Sequence, residues 1–136
     1  MDNQYKYLLL EHESQVNRDR LIALINSLTD GFLAVDGKGA IEISNSVALD
    51  LLDANVLKGR PLVEQLRPID DQGRVVDLGA RMAQAPQGFE DNSWSIKHKD
   101  GEVIRIYAHF VPVRSQYGKN DDSGWLVILR NLRDSS

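Results

Sequence analysis

Two aspartate–glycine pairs constrain this chain most strongly, because each one separates two runs rich in apolar and β-branched residues. Asp36-Gly37 lies between residues 32–35 and 41–43, and Asp100-Gly101 lies between residues 93–99 and 103–113. An Asp-Gly pair in this setting is one of the strongest short-range signals for an antiparallel hairpin. The sequence therefore predicts two β-hairpins, one in the first third of the chain and one in the last third.

Short helical patterns separate the two hairpins. They cover residues 46–52, 62–66 and 75–85, and Asn45 is the expected N-cap of the first, where Asn45→Ala should cost about 1 kcal/mol. Strands are predicted near residues 31–36, 40–44, 91–99, 102–114 and 123–133. Two strands, several short helices and three more strands indicate an α+β domain with a five-stranded antiparallel sheet.

Residues 1–28 form a segment of a different kind. No glycine or proline interrupts residues 3–28, which predicts one long helix. The apolar residues expected to form its contact surface are Tyr5, Leu8, Leu9, Leu21, Ile25 and Leu28, and mostly polar residues lie between the two groups. The heptad pattern is poor. The helix either covers its own sheet or pairs weakly and in parallel with a second copy, so we treat 1–28 as a signalling and dimerisation helix and 29–134 as the domain.

Composition excludes several classes of function. The chain has no cysteine, which excludes disulfides, thiol nucleophiles and cysteine-based metal sites. Its net charge is −4, with acidic and basic residues interspersed, so no basic stripe for nucleic acid is present. No apolar run approaches the roughly 20 residues that span a bilayer. We expect a cytoplasmic domain, which is compatible with the cytoplasmic part of a membrane-anchored receptor.

Several motifs occur in an order typical of one family. Residues 24–36 carry a helix that leads into Gly-(apolar)-x-Val-Asp, and residues 37–45 carry a hairpin that ends in asparagine. Lys58-Gly59-Arg60-Pro61-Leu62 follows, and the second hairpin contains Lys99-Asp100-Gly101-Glu102. This ordered set resembles the PAS family, and most closely the cytoplasmic PAS domains of bacterial sensor histidine kinases. The resemblance implies a PAS fold: a five-stranded antiparallel sheet, short helices on one face and a long N-terminal helix.

The end of the domain departs from the family pattern. PAS domains typically close with Asp-(Ile/Val)-Thr-(Glu/Asp), where this chain has Asn131-Leu132-Arg133-Asp134. The resemblance makes Asn131, Arg133 and Asp134 the junction to an output domain. Asn131 keeps the hydrogen-bonding capacity of the family's aspartate without its charge, whereas Arg133 does not replace the threonine.

The resemblance also implies a ligand pocket between the inner face of the sheet and the short helices. Its candidate lining is apolar: Leu33, Val35, Leu52, Leu57, Leu66, Met82, Trp94, Ile106 and Phe110. The same side chains are those that a filled hydrophobic core requires. A filled core and a site for a small apolar ligand are both open at this point.

No catalytic motif is present, and the three histidines, His12, His98 and His109, have no metal-ligand spacing. Residues 75–85 contain no histidine for haem, and flavin photochemistry of the PAS light sensors needs a cysteine. Asp70, Asp71 and Asp77 fit a solvated turn better than a cation site. We therefore expect no cofactor, no metal and no enzymatic activity.

Two functions follow from these observations. The first is a sensory and dimerisation module of a bacterial signal-transduction protein, in particular a sensor histidine kinase, whose output domain lies C-terminal to it. Its expected partners are a second copy and a small apolar ligand. The alternative is a stand-alone ligand-binding protein or enzyme with a PAS-like cup fold.

Overall fold

The computed structural model describes residues 29–113 and 124–132. The first hairpin consists of β1 (Gly31–Val35) and β2 (Ile41–Ser44). Three short helices follow: α1 (Ser46–Leu51), α2 (Leu62–Gln65) and α3 (Leu78–Gln84). The last strands are β3 (Phe89–Lys97), β4 (Val103–Val113) and β5 (Gly124–Asn131).

The sheet has five strands in the order β2-β1-β5-β4-β3, and all neighbours are antiparallel. Both hairpins predicted from the Asp-Gly pairs are confirmed. The last strand lies in the centre of the sheet, between β1 and β4. The beginning and the end of the domain are therefore hydrogen-bonded neighbours, with Gly31 opposite Leu129.

Aspartate side chains stabilise both hairpin turns. Asp36 Oδ1 accepts hydrogen bonds from the backbone N–H groups of Lys38 and Ala40, at 2.8 and 2.9 Å. In the second turn, Asp100 Oδ1 accepts from the N–H of Glu102 at 2.9 Å. Gly101 has φ +93°, which glycine adopts with little strain. Both turns form because short side chains satisfy backbone groups locally.

The core lies between one face of the sheet and the three helices. Along β4, Ile104, Ile106, Ala108 and Phe110 alternate with more exposed residues, as a half-buried strand requires. Val127 and Leu129 of β5 continue this buried face. The helices add Ala48, Leu51, Leu62 and Leu78 from above the sheet.

Several element boundaries differ from those predicted by one to three residues, and the beginnings of β3 and α3 are among those that differ most. Strand β3 begins at Phe89 and ends at Lys97, two residues earlier at each end than the predicted 91–99. An irregularity between Asp91 and Trp94 shifts its register, so that Phe89 and Trp94 both face the core. Helix α3 begins at Leu78 rather than at residue 75, because Asp77 caps it through the N–H of Ala80.

The predicted long helix and its apolar residues, Tyr5, Leu8, Leu9, Leu21, Ile25 and Leu28, lie outside the described residues. So do Arg133 and Asp134 at the output junction. Within the described part of the chain, no helix is long and apolar enough to cross a membrane.

Candidate functional site

The residues predicted to line a ligand pocket come together in one apolar region. Eight of them are buried in the core: Leu33, Val35, Leu52, Leu57, Leu66, Trp94, Ile106 and Phe110. Met82 of α3 is half-buried, packs against that core and also lines a surface cleft of about 510 Å³ together with Val63 and Trp125. That these residues bind a ligand stays a prediction.

Aromatic rings fill the part of the core where β3, β4 and β5 meet. The rings of Phe89 and Phe110 are stacked, with centroids 4.6 Å apart and planes within 8°. Trp94 and Trp125 meet Phe110 edge-on, at 6.2 and 6.3 Å. Arg81 of α3 lies 4.1 Å from the Phe89 ring centroid, which is a cation–π distance.

Sequence reasoning missed Phe89. Pro86 and Gly88 mark the residues just before it as a loop. The available signal was an aromatic residue immediately after a glycine, two positions before the predicted strand. Its packing against Phe110 depends on the irregularity in β3, which the alternation pattern does not reveal.

A polar junction joins the beginning of β1 to the end of β5. Arg130 Nε and Nη2 donate to Asp30 Oδ1 and Oδ2, at 3.1 and 3.0 Å. The side chains are 49% and 23% exposed, so water and salt screen the pair and it stabilises the fold only weakly. The two parallel hydrogen bonds nevertheless define the geometry of the contact. The pair therefore sets the relative position of the two chain segments more than it stabilises the domain.

Asn45 connects the same junction to helix α1. Its side chain is the N-cap of the helix: Oδ1 accepts from the N–H of Ala48 at 3.0 Å. Oδ1 also accepts from the N–H of Phe32 at 2.9 Å, and Nδ2 donates to the carbonyl of Asp30 at 2.9 Å. Asn45 is only 1% exposed. One buried amide thus holds the residue before β1, the strand itself and α1 together.

A cleft of about 380 Å³ opens beside these contacts. Its lining combines the ion pair with apolar side chains from α1 and β4, and comprises Thr29, Asp30, Val47, Asp50, Leu51, Ile104, Arg130 and Asn131. Asn131, predicted as part of the output junction, is therefore on the wall of this cleft. The cleft is where the N-terminal and C-terminal ends of the described domain meet.

Further contacts connect Arg130 to residues of β4 and β3 on the outer face of the sheet. Arg130 lies opposite Tyr107, and its guanidinium is 5.5 Å from the centroid of that ring. Tyr107 Oη donates to Glu90 Oε1 at 2.8 Å. Partial burial raises the pKa of Tyr107 above its ordinary value, and the hydrogen bond to Glu90 raises it further. The hydrogen bonds and negative charge of Asp30 raise the pKa of Arg130, which stays protonated.

A second polar cluster lies at the β3–β4 turn and was also missed by sequence reasoning. His98, Asp100 and Glu102 each offer one ligand atom, and these atoms lie within 4.8 Å of one another. The spacing His-x-Asp-x-Glu around a glycine turn was the available signal. The three histidines share no metal-ligand spacing with one another, whereas the hairpin brings one of them together with two carboxylates.

Comparison with known families identifies the domain. The family model described as the PAS fold matches residues 19–131 of the 136-residue chain. The chain belongs to the PAS family. It is therefore a sensory domain by family. The match begins at residue 19, inside the segment predicted as the N-terminal helix, and the boundary predicted at residues 28 and 29 stays a prediction.

Solved PAS domains have the same fold at low sequence identity. The PAS domain of an HTR-like protein from Haloarcula marismortui is 19% identical, with a TM-score of 0.62, over 90% of this chain and 97% of that one. The PAS domain of nitrogen regulation protein NR(II) from Vibrio parahaemolyticus is 21% identical, with a TM-score of 0.59, over 82% and 96%. A PAS domain from a two-component sensor histidine kinase is 12% identical, with a TM-score of 0.63, over 87% and 98%. At such identities the likeness establishes the fold alone.

A search of curated proteins found no match to this sequence. Three features of the described residues of this PAS domain bear on its function. They are the Asp30–Arg130 pair with the capping Asn45, the aromatic cluster around Phe110, and the polar turn at His98.

Proposed function

We propose that this PAS domain is a sensory and dimerisation module of a bacterial signal-transduction protein, in particular a cytoplasmic sensor histidine kinase. It passes a signal from the N-terminal segment, or from a small apolar ligand, to an output domain that follows β5. The domain itself catalyses no reaction.

The bidentate contact between Asp30 and Arg130 carries this proposal. Asp30 is where the N-terminal segment reaches the sheet, and Arg130 is one residue before the end of β5. A displacement of the N-terminal segment therefore acts directly on the strand that leads out of the domain. Because the pair is half-exposed and weak, it can break and re-form without unfolding the core.

The absence of catalysis is part of the proposal, and the character of the junction supports it. Its polar groups are the Asp30–Arg130 ion pair, the capping amide of Asn45 and the carbonyl of Asp30, which accepts a hydrogen bond from that amide. Groups arranged in this way position chain segments, whereas a catalytic site needs a nucleophile or base aimed at a substrate.

Hydrogen exchange in the full chain tests the transmission. Deletion of residues 1–18 should change the rate of amide hydrogen exchange at Arg130 and Asn131. The reason is that the N-terminal segment leads into Asp30, and its removal should alter the Asp30–Arg130 contact. In the Asp30→Asn background, the same deletion should have a much smaller effect at these amides. Asp70→Asn is the control, since the Asp70 carboxylate accepts from the backbone N–H groups of Gln72 and Arg74 in an exposed turn rather than from Arg130.

Two outcomes would count against transmission through this contact. Exchange at Arg130 and Asn131 that ignores the deletion would mean that the N-terminal segment does not act on β5. An equal effect of the deletion in the wild-type and Asp30→Asn backgrounds would mean that the signal bypasses the ion pair.

Sedimentation velocity tests dimerisation separately. The full chain should associate weakly at about 100 µM, because a few leucines supply little more than the free-energy cost of association. The chain without residues 1–18 should be a folded monomer, with folding checked by circular dichroism. A full chain that is monomeric at this concentration would leave the N-terminal segment as a cover for its own sheet.

The histidine kinase assignment has its own test. The parent gene should encode, after Ser136, a phosphate-accepting histidine helix and an ATP-binding domain. Continuation into another output domain would keep the sensory role and remove the kinase assignment.

A further inference from the structure

The β3–β4 turn holds a histidine and two carboxylates on a backbone that is already ordered. The N–H of His98 donates to the carbonyl of Glu102 at 2.8 Å, and the N–H of Gly101 donates to the carbonyl of His98 at 2.9 Å. Asp100 Oδ1 accepts from the N–H of Glu102 at 2.9 Å. The backbone that carries the three side chains is therefore ordered around one tight turn.

The tautomer of His98 is determined by a contact outside the turn. Its Nε2 lies 2.7 Å from the carbonyl oxygen of Leu51, at the C-terminal end of α1. A carbonyl oxygen only accepts, so Nε2 must carry the proton that is shared in this bond. In the neutral ring, the lone pair is then on Nδ1, which faces Glu102 Oε1 at 3.9 Å.

This arrangement is characteristic of a histidine prepared to bind a metal. Metal-binding histidines usually donate the N–H of the other ring nitrogen to a carbonyl or carboxylate, which orients the ring. The His98 side chain is 14% exposed and held by Leu51, whereas that of Glu102 is 50% exposed and can change rotamer. The nitrogen ligand is therefore preoriented and the oxygen ligands can move towards it.

We propose that the β3–β4 turn binds a divalent transition-metal ion such as Zn²⁺ through His98 Nδ1 and the carboxylates of Asp100 and Glu102. Zinc–nitrogen and zinc–oxygen bonds of about 2.1 Å place two tetrahedral ligands about 3.4 Å apart. The ligand atoms of the three side chains already lie within 4.8 Å of one another, so binding requires only small movements of the exposed carboxylates. Three protein ligands leave the fourth position to water or to a partner. The imidazole nitrogen favours Zn²⁺, Ni²⁺ or Cu²⁺ over Mg²⁺ and Ca²⁺, which prefer sites built of oxygen ligands alone.

The bound ion would act on helix α1. Two contacts join the turn to the end of this helix: His98 Nε2 to Leu51, and the N–H of Lys99 to Asp53 Oδ2 at 2.9 Å. The other end of α1 is held by Asn45, which also bonds the carbonyl of Asp30. Hydrogen bonds therefore connect the turn, through α1 and Asn45, to Asp30 at the polar junction. This link rests on the proposed function, whereas the metal site itself does not.

Isothermal titration of the full chain with ZnCl₂ tests the site. The background should carry His12→Gln and His109→Gln, because His12 lies between two glutamates in the sequence and offers a competing site. We expect one Zn²⁺ per chain in this background. Absence of Zn²⁺ binding would overturn the proposal.

Single variants in that background assign the ligands. Glu102→Gln, Asp100→Asn and His98→Asn should each weaken Zn²⁺ binding at least about ten-fold, the scale seen when groups that support a metal site are removed. Asp100→Asn keeps the Oδ1 acceptor of the turn, so it separates ligand loss from turn loss. Asp70→Asn and Glu64→Gln are the controls and should leave the affinity unchanged. Equal affinity in Glu102→Gln, Asp100→Asn and the background would place the ion elsewhere and overturn the assignment.

Nitrogen NMR distinguishes this site from adventitious binding to a surface histidine. With Zn²⁺, the resonance of His98 Nδ1 should shift while Nε2 keeps its proton and its bond to Leu51. Coordination through Nε2 would require that bond to break and would contradict the proposal. If the ion binds as predicted but exchange at Arg130 and Asn131 does not respond, the metal site stands and its link to the proposed signalling role fails.

Discussion

The two ends of strand β5 have opposite chemistry. At its beginning, the half-buried Trp125 packs edge-on against Phe89 and the buried Phe110, and its other side lines the cleft of Met82 and Val63. At its end, Arg130 is half-exposed and forms an ion pair with Asp30 beside an open cleft. One strand thus runs from a region held by the burial of aromatic rings to a region held by hydrogen bonds that water can replace.

One end of β5 therefore contributes to the stability of the fold, whereas the contacts at its other end can change while the fold persists. Buried aromatic side chains contribute several kcal/mol each and allow few alternative packings. Exposed ion pairs contribute little and exchange readily with solvent. We expect substitutions near Trp125 to unfold the domain, and substitutions near Arg130 to alter the junction while the fold persists.

Phe110→Ala should produce the largest loss of stability. Phe110 is 0% exposed and contacts the rings of Phe89, Trp94 and Trp125. Truncation should lower the free energy of unfolding by about 3–5 kcal/mol, measured by urea denaturation. Val103→Ala on the same strand is the control, since Val103 is exposed and should change stability by less than about 0.5 kcal/mol. Similar losses in the two variants would show that the aromatic end is not the stable one.

Asn45→Ala should cost more than the loss of a helix cap alone. A cap contributes about 1 kcal/mol, but Asn45 is buried and also bonds Phe32 and Asp30. Because backbone groups would lose their partners away from water, we expect a loss of about 2–3 kcal/mol in the same denaturation experiment. Asp77→Ala is the control, because Asp77 caps α3 from an exposed position, and its loss should stay near about 1 kcal/mol. Equal losses would mean that Asn45 acts only as a cap.

Gly31→Ala should have a smaller effect, located at the polar end. A Cβ atom at Gly31 would lie 3.2 Å from Ala48 Cα and 3.2 Å from Leu51 Cδ1, so α1 would have to move away from β1. We expect a loss of about 1–2 kcal/mol and faster amide exchange in α1. Gly79→Ala in α3 is the control and should stabilise the domain slightly. A Cβ atom at Gly79 would come no closer than 3.8 Å to Asp77 Oδ1, and alanine favours a helix more than glycine does. A stabilised Gly31→Ala variant would show that α1 packs loosely on the sheet.

The pKa of Tyr107 provides the most local test. Its raised pKa means that the stability contributed by its neutral form is fully present below the ordinary tyrosine pKa of about 10 and is lost as the pH rises through the folded value. Glu90→Gln removes a negative charge and should lower the Tyr107 pKa, measured by phenolate absorbance against a Tyr107→Phe reference. Glu42→Gln, on β2, should leave it unchanged. An unchanged Tyr107 pKa in Glu90→Gln would contradict the contribution of Glu90 and leave burial and the charge of Asp30 as the causes of the raised pKa.

Much of the fold was predictable because its signals are local. The Asp-Gly turns, the alternation along β4 and the cap at Asn45 involve residues within a few positions of one another. Period-two alternation also identifies the buried faces of the strands, on which Leu33 and Phe110 lie in the core. Phe89 was missed because the irregularity in β3 breaks that period.

The sequence by itself determined the hairpins, the number of strands and the family, because turn chemistry and apolar periodicity act over short distances along the chain. Only the tertiary structure decided that β5 lies beside β1, which brings Arg130 to Asp30 across 100 residues. It also decided that His98 reaches Leu51 across 47 residues. Such contacts depend on the packing of the whole sheet against its helices, and no local pattern records which distant partners that packing selects.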